Sequence, residues 1–374
     1  MAMFAWGTVF YGNGVYLVAL HKLHGWSVAD ISLGVGLFFF AGIPGAIVVG
    51  ICVDRFGPRW IATYGALAIG IAVASLGIIE HRWTFYLVML LMGTGYPALA
   101  TPIISATLLP WFADGYGFAL GIALTGASVG GALFVPAMVF AIERWGFGPT
   151  VLTVGALVVV VIMPFAIALL NQPGLGRATQ GARQKLPRSL LRHLDFWRLS
   201  IGCALGLGAQ VGFLTHQLSV LEKNMSVSTA ALAISATVVS SAVGRLVFGG
   251  LASRFPLHVV TASAYVLQGV GILWLALAWE DWQRLVACIV AGFSIGAIVM
   301  LPALLVRERY GNAVYGRAYG SVNVTLYLFA AAGPALTGVI SDFFASYALA
   351  LLLLFAAHAL ASALIGGRSF RLAS

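Results

Sequence analysis

Apolar runs of about 20 residues recur along the whole chain, and no other feature constrains the fold as strongly. That length carries a helix across a hydrocarbon core. The runs are not offset by polar surface elsewhere: 61% of the 374 residues are hydrophobic and only 8% are charged. A water-facing surface takes about a quarter charged residues, so this chain cannot build one. It is expected to be a polytopic, all-α membrane protein. The 45 glycines suit close helix–helix approach through small residues. Cys52, Cys203 and Cys288 all fall in apolar runs, so no disulfide, thiolate metal site or cofactor is expected. The apolar start at Ala2 runs into a full-length span with no small-residue cleavage site, which argues against a cleavable signal peptide. Its abruptness leaves room for a missing cytoplasmic leader.

Twelve helices are predicted, over roughly 2–20, 31–53, 60–79, 84–110, 117–141, 149–170, 196–221, 228–252, 257–279, 284–307, 317–340 and 345–366. Most connections are short. The exception, 171–195, is rich in Gly, Pro and basic residues and divides the chain into an N-terminal bundle (1–170) and a C-terminal bundle (196–374). Lys and Arg placement orients the spans. Fourteen of the 20 basic residues fall on the side of the central loop, among them Arg55, Arg59, Arg183 and Arg307. Five fall opposite: Lys22, Arg82, Arg144, Lys223 and Arg284. Both termini are therefore expected to be cytoplasmic, and the net charge of +9 reflects topology rather than nucleic acid. One basic residue belongs to neither side. Arg245 lies inside the eighth span.

The two halves match at a constant offset of 199 residues. Ser27-Val28 falls on Ser226-Val227, Gly50 on Gly249, Arg55-Phe56 on Arg254-Phe255, and Gly93 on Gly292. Tyr116-Gly117, Ala119 and Gly121 fall on Tyr315-Gly316, Ala318 and Gly320, and Glu143 on Asp342. Several matches in one register argue for a duplicated six-helix unit, and parallel repeats of this kind belong to carriers whose substrate sits near the midplane.

The loop after the second span reads G-I-C-V-D-R-F-G-P-R, Gly50 to Arg59. It resembles the major facilitator superfamily signature G-x-x-x-D-R-x-G-R-R, departing only at Pro58. The resemblance implies two pseudo-symmetric six-helix bundles and a cytoplasmic gate built from Gly50, Asp54, Arg55, Gly57 and Arg59, with Asp54 pairing with the start of the eleventh helix. In the second copy Ser253 replaces the acid. More narrowly, the chain resembles the monocarboxylate and oxalate/formate branch. The residues that carry this are W-F-x-x-x-x-G-x-A-x-G from Trp111 to Gly121, G-A-S-V-G-G with Pro136 beyond it, and the lone arginine of the eighth span.

All eleven acids fall in loops or at span ends, so a counter-ion for Arg245 is expected from outside the protein. An ionisable group at that depth costs at least about 2.5–3.5 kcal/mol and by default faces a cavity. A guanidinium fork matches a carboxylate bidentately; snorkelling to the cytoplasmic interface is the blander reading. Thr237, Ser241 and Arg245 share one helix face, and in the resembled branch this arginine binds the substrate carboxylate. Tyr319, Asn323 and Tyr327 form a second stripe. Tyr96 beside Pro97, Tyr11 on the first helix, and Gln210 with Gln217 on the seventh are further candidates for lining a ligand. His216 is a candidate for proton handling or an outer gate. Relatives often carry an aspartate where Ser241 stands, so that form of proton coupling is not expected here.

The expected function is a monomeric secondary transporter of the cytoplasmic membrane that moves a small organic anion such as lactate or pyruvate by alternating access, coupled to protons. Alternatives are an oxalate/formate-type exchanger and a proton-driven drug or metabolite exporter. An enzyme needs a constellation of catalytic groups at one depth, which one arginine and one distant histidine do not supply. A sensor would usually add a signalling tail.

Overall fold

A computed structural model describes residues 1–108, 116–169 and 193–367. It contains twelve helices and no strand among the described residues. We label them in chain order: α1 (Ala2–His24), α2 (Val28–Phe56), α3 (Pro58–Ser75), α4 (82–108), α5 (Tyr116–Trp145), α6 (Phe147–Leu169), α7 (Leu194–Glu222), α8 (Val227–Ala252), α9 (Leu257–Leu277), α10 (Asp281–Gly311), α11 (Ala318–Phe343) and α12 (Ala348–Gly366). Ten are long and apolar enough to cross a bilayer. The other two fall short for local reasons. α3 opens on Pro58-Arg59-Trp60, which dilutes an 18-residue helix. α4 is broken: Arg82–Gly95 is α-helical, Tyr96–Ala98 is a 3₁₀ turn, and Thr101–Leu108 resumes the α form. Pro97, with no amide hydrogen, cannot continue the regular ladder, so the prolines predict this bend correctly.

The chain divides into two compact units, Met1–Gly181 and Ala182–Ser374. Inside each, the same helix pairs pack. In the first unit α1 lies on α5, α2 on α4 and α3 on α6; in the second α7 lies on α11, α8 on α10 and α9 on α12. The offset of 199 read from the sequence reappears in atomic contacts. Ser27 caps α2 by accepting from the amide of Asp30 at 3.0 Å, and Ser226 caps α8 by accepting from that of Thr229 at 3.2 Å. A methyl group on Gly93 would collide with the Phe38 carbonyl, and one on Gly292 with the Thr237 carbonyl. Residues 38 and 237 stand at the same offset, so one glycine notch sets the α2–α4 and α8–α10 spacings alike.

The start of α1 departs from the regular pattern. Ala5–Phe10 is π-helical, with the amide of Tyr11 donating to the Trp6 carbonyl at 2.8 Å. Tyr16, fully buried, donates its hydroxyl to the Thr8 carbonyl at 2.6 Å, serving a backbone group of the widened turn. At the signature motif, α2 ends at Phe56, Gly57 takes φ 79°, and Pro58 is the first residue of α3. The left-handed conformation calls for glycine at 57. Proline suits a first helical position because the amide there has no helical partner, so the departure from the signature at 58 starts the helix. Gly50 and Asp54 beyond their backbone, residues 170–192 of the central connection, residues 111–115 of the Trp111–Gly121 run and the side chains of its remainder lie outside the described residues.

Candidate functional site

Arg245 sits seven residues before the end of α8, about 10 Å along the helix from Ala252. It is half-buried. Its side chain runs across α10: a methyl group on Gly296 would lie 2.9 Å from both its Cβ and its Nε. One turn earlier Ser241 is fully buried, and its hydroxyl has no hydrogen-bond partner among the described residues. Thr237, a further turn back, is also fully buried, but its hydroxyl is engaged. It donates to the Ala233 carbonyl at 2.9 Å and accepts from the Gln217 amide at 2.7 Å. The predicted stripe therefore has two parts, a stitched upper end at Thr237 and a lower end where Arg245 stands one turn from the uncommitted hydroxyl of Ser241.

Gln217 joins three helices. From α7 its Nε2 reaches Thr237 on α8 and the Cys288 sulfur on α10 at 3.2 Å, while its Oε1 has no partner among the described residues. Gln210, two turns back on α7, has 0% exposure, and neither its nitrogen nor its oxygen has a partner there. An amide buried in that state costs about 1–3 kcal/mol per unmet group, so it asks for a reason. Asn13 on α1 repeats the situation in the first unit, at 1% exposure with both amide atoms unmet. Its signal in the sequence was only an asparagine within an apolar helix.

The other predicted residues are placed as follows. Tyr96 stands at the break in α4, its ring edge-on to Trp6 of α1 at 5.6 Å and to Phe38 of α2 at 5.3 Å. Tyr11 is buried with its ring edge-on to Phe10 at 5.4 Å. Tyr319, Asn323 and Tyr327 are half-buried along α11. Within the second unit, then, α7, α8 and α11 carry the polar candidates, and in the first unit Tyr11 and Tyr96 belong to an aromatic cluster. Arg55 and Arg59 flank Gly57, their guanidinium carbons 5.3 Å from the Phe56 ring and 5.2 Å from the Trp60 ring.

His216 lies toward the far end of α7 from Arg309–Asp195, a 2.6 Å ion pair that ties α10 to the start of the same helix. Its Nε2 is 3.1 Å from the Pro334 carbonyl of α11. A carbonyl only accepts, so the proton sits on Nε2, and Nδ1 accepts from the Tyr347 hydroxyl at 3.3 Å. The Lys223 ammonium stands 4.8 Å over the Tyr347 ring. Tyr347 is in the α11–α12 connection, where burial pushes its phenol above the ordinary range. His358, isolated in sequence on α12, is tied in as well. Its Nε2 lies 2.9 Å from the Gln268 side-chain oxygen of α9 and its Nδ1 2.9 Å from the Leu354 carbonyl, and the one N–H of a neutral ring serves one of these two acceptors.

Two repeated six-helix units, with an arginine and buried amides on helices of membrane-crossing length, define a multi-pass carrier. The chain belongs to the Major Facilitator Superfamily, whose family model matches residues 1–334. It is 28% identical to MFS-type transporter 1 of Ophiocordyceps over 76% of this chain and 63% of that protein, so it spans less than two thirds of that relative. It is 24% identical to the Agnestins efflux protein AgnL12 of Paecilomyces divaricatus, over 84% of this chain and 72% of that one. It is 25% identical to monocarboxylate transporter 13 of Rattus norvegicus, over 78% and 69%. The fold matches that of the nucleoside transporter NupG with a TM-score of 0.82, covering 96% of both chains at 12% identity. The major facilitator fold read from the sequence is thus the fold of the chain.

Proposed function

We propose that this transporter moves small organic monoanions, with monocarboxylates such as lactate or pyruvate as cargo, by proton-coupled alternating access. The observation that carries the proposal is the Arg245 guanidinium, set inside α8 next to the uncommitted hydroxyl of Ser241. A single fixed fork suits one carboxylate. The resemblance to monocarboxylate transporters supports the same cargo. In this reading Ser241 and Gln210 take the remaining oxygens of the anion, while Tyr11, Tyr96, Asn323 and Tyr327 shape the cavity. His216 serves proton coupling or the outer gate. Gly50, Asp54, Arg55, Gly57 and Arg59 form the cytoplasmic gate.

The proposal also takes residues 1–170 and 196–374 as the two bundles, joined by a cytoplasmic loop at 171–195. The protein acts as a monomer in the cytoplasmic membrane with both termini inside, as the bias of basic residues suggests. Uptake of labelled lactate, pyruvate and formate by proteoliposomes, with and without an imposed pH gradient, tests it. Accumulation that follows an inward proton gradient supports symport; gradient-independent exchange against internal anion selects the oxalate/formate-type alternative. A second reading, proton-driven export of a drug or metabolite, draws on the similarity to a fungal efflux protein. It predicts transport out of right-side-out vesicles with no uptake of the three small anions.

A further inference from the structure

A guanidinium can receive a carboxylate bidentately only if its plane is held, and sites of this kind require placement within about 0.5 Å and 10–20°. Arg245 has four rotatable side-chain bonds, so something must fix it. The helix it crosses supplies the fixing. At Gly296 a methyl group would lie 2.9 Å from the Arg245 Cβ, 2.9 Å from its Nε and 2.9 Å from the Ser241 carbonyl oxygen. No real Cβ sits that close to all three, so the side chain lies in a notch that exists because residue 296 has no side chain.

The internal repeat separates this notch from ordinary helix packing. Gly292 and Gly244, which bring α8 and α10 together, have glycine counterparts in the first unit at Gly93 and Gly45. The glycines that let the helices approach are therefore common to both units, with an equally close contact at Gly93 and Gly292. At the same offset of 199, Arg245 maps onto Ala46 and Gly296 onto Pro97. The arginine and the missing side chain appear together, in one unit only. We infer that Gly296 is the positioning residue for the anion-binding guanidinium: its bare Cα holds the Arg245 stem against α10 and aims the fork. This inference rests on the reading of Arg245 as the anion's partner.

The test is initial-rate uptake of labelled lactate, pyruvate and formate into proteoliposomes by the wild type, Gly296→Ala, Gly292→Ala, Arg245→Lys and Arg245→Ala. Gly296→Ala is expected to raise KM about tenfold with Vmax within about twofold, because the site is misaimed while the carrier still cycles. In the Arg245→Lys background, which has already lost the fork, the same glycine substitution is expected to add less than twofold. Gly292→Ala widens the same helix contact without touching the arginine stem and is expected to leave KM unchanged. The inference is overturned by an unaltered KM in Gly296→Ala, by an equal KM rise in Gly292→Ala, or by full additivity with Arg245→Lys. Uptake that persists in Arg245→Ala, or a wild type indifferent to all three anions, removes the anion reading and this inference with it. Should Gly296→Ala alone fail to fold, the Gly296→Ala/Arg245→Ala pair decides. Recovered folded yield shows that the notch accommodates the stem; no recovery assigns it to helix spacing and ends the proposal.

Discussion

Gly45 and Gly244 occupy equivalent places in the repeat, yet alanine should have opposite consequences at the two. At Gly45 an added methyl would lie 3.2 Å from the Thr94 Cα and 3.4 Å from its carbonyl oxygen, a crowding that a few tenths of an ångström relieves. At Gly244 it would collide outright with the Phe293 carbonyl oxygen, backbone that cannot rotate away. Alanine gains up to about 1 kcal/mol over glycine within a helix, and overpacking a fixed contact costs about 1–3 kcal/mol. Gly45→Ala should then be neutral or slightly stabilising, whereas Gly244→Ala should lose about 1–2 kcal/mol net. At roughly 2–4 °C per kcal/mol for units of about this size, the two variants should melt several degrees apart. Thermal unfolding of the purified proteins in one detergent, followed with a thiol-reactive dye on the buried cysteines, measures this. Equal melting temperatures, or a larger loss in Gly45→Ala, would refute the claim that backbone approach differs between the two copies.

Other consequences can be checked with the same preparations. Gln210→Leu removes a buried amide whose nitrogen and oxygen are both unmet and should raise the melting temperature; the proposed role of that amide in holding the anion predicts at least a tenfold loss of uptake in the same variant. His216→Leu and Tyr347→Phe should each cost about 1 kcal/mol and the pair less than their sum, since the second change removes a bond already broken; a double-mutant cycle on thermal stability reads the coupling. Arg82→Ala should shift stability by no more than about 0.5 kcal/mol at 150 mM salt, because its 2.8 Å bridge to Asp30 lies between two solvent-accessible side chains.

Much of the architecture was legible from residue order because the signals are local. Ser27 and Ser226 mark helix starts, Pro97 marks the break in α4, and the glycine register carries the duplication into real contacts. What stayed hidden is azimuth. In a soluble helix, amphipathicity shows which face is buried, but in a membrane both the lipid-facing and the core-facing sides are apolar. Leu246, largely exposed, and Phe248, buried, sit two residues apart on α8 with nothing in their chemistry to tell them apart. For the same reason the stripe Thr237–Ser241–Arg245 could be drawn, but not that Thr237 is stitched to Gln217 while Ser241 is uncommitted. Gly296 gave no signal among 45 glycines, since its role depends on a side chain 51 positions away. The partners of His216 and His358 were hidden likewise, because Tyr347 and Gln268 reach them through tertiary packing alone. The π-helical turn at Ala5–Phe10 has no motif either.

The central claim is that Arg245 receives the carboxylate of the transported anion. Uptake of labelled lactate, pyruvate and formate by proteoliposomes carrying wild-type or Arg245→Lys protein at matched folded density tests it most directly, because lysine keeps the charge and loses only the fork. The account predicts that the lysine variant retains less than about a tenth of wild-type uptake. Uptake undiminished by the replacement would contradict it.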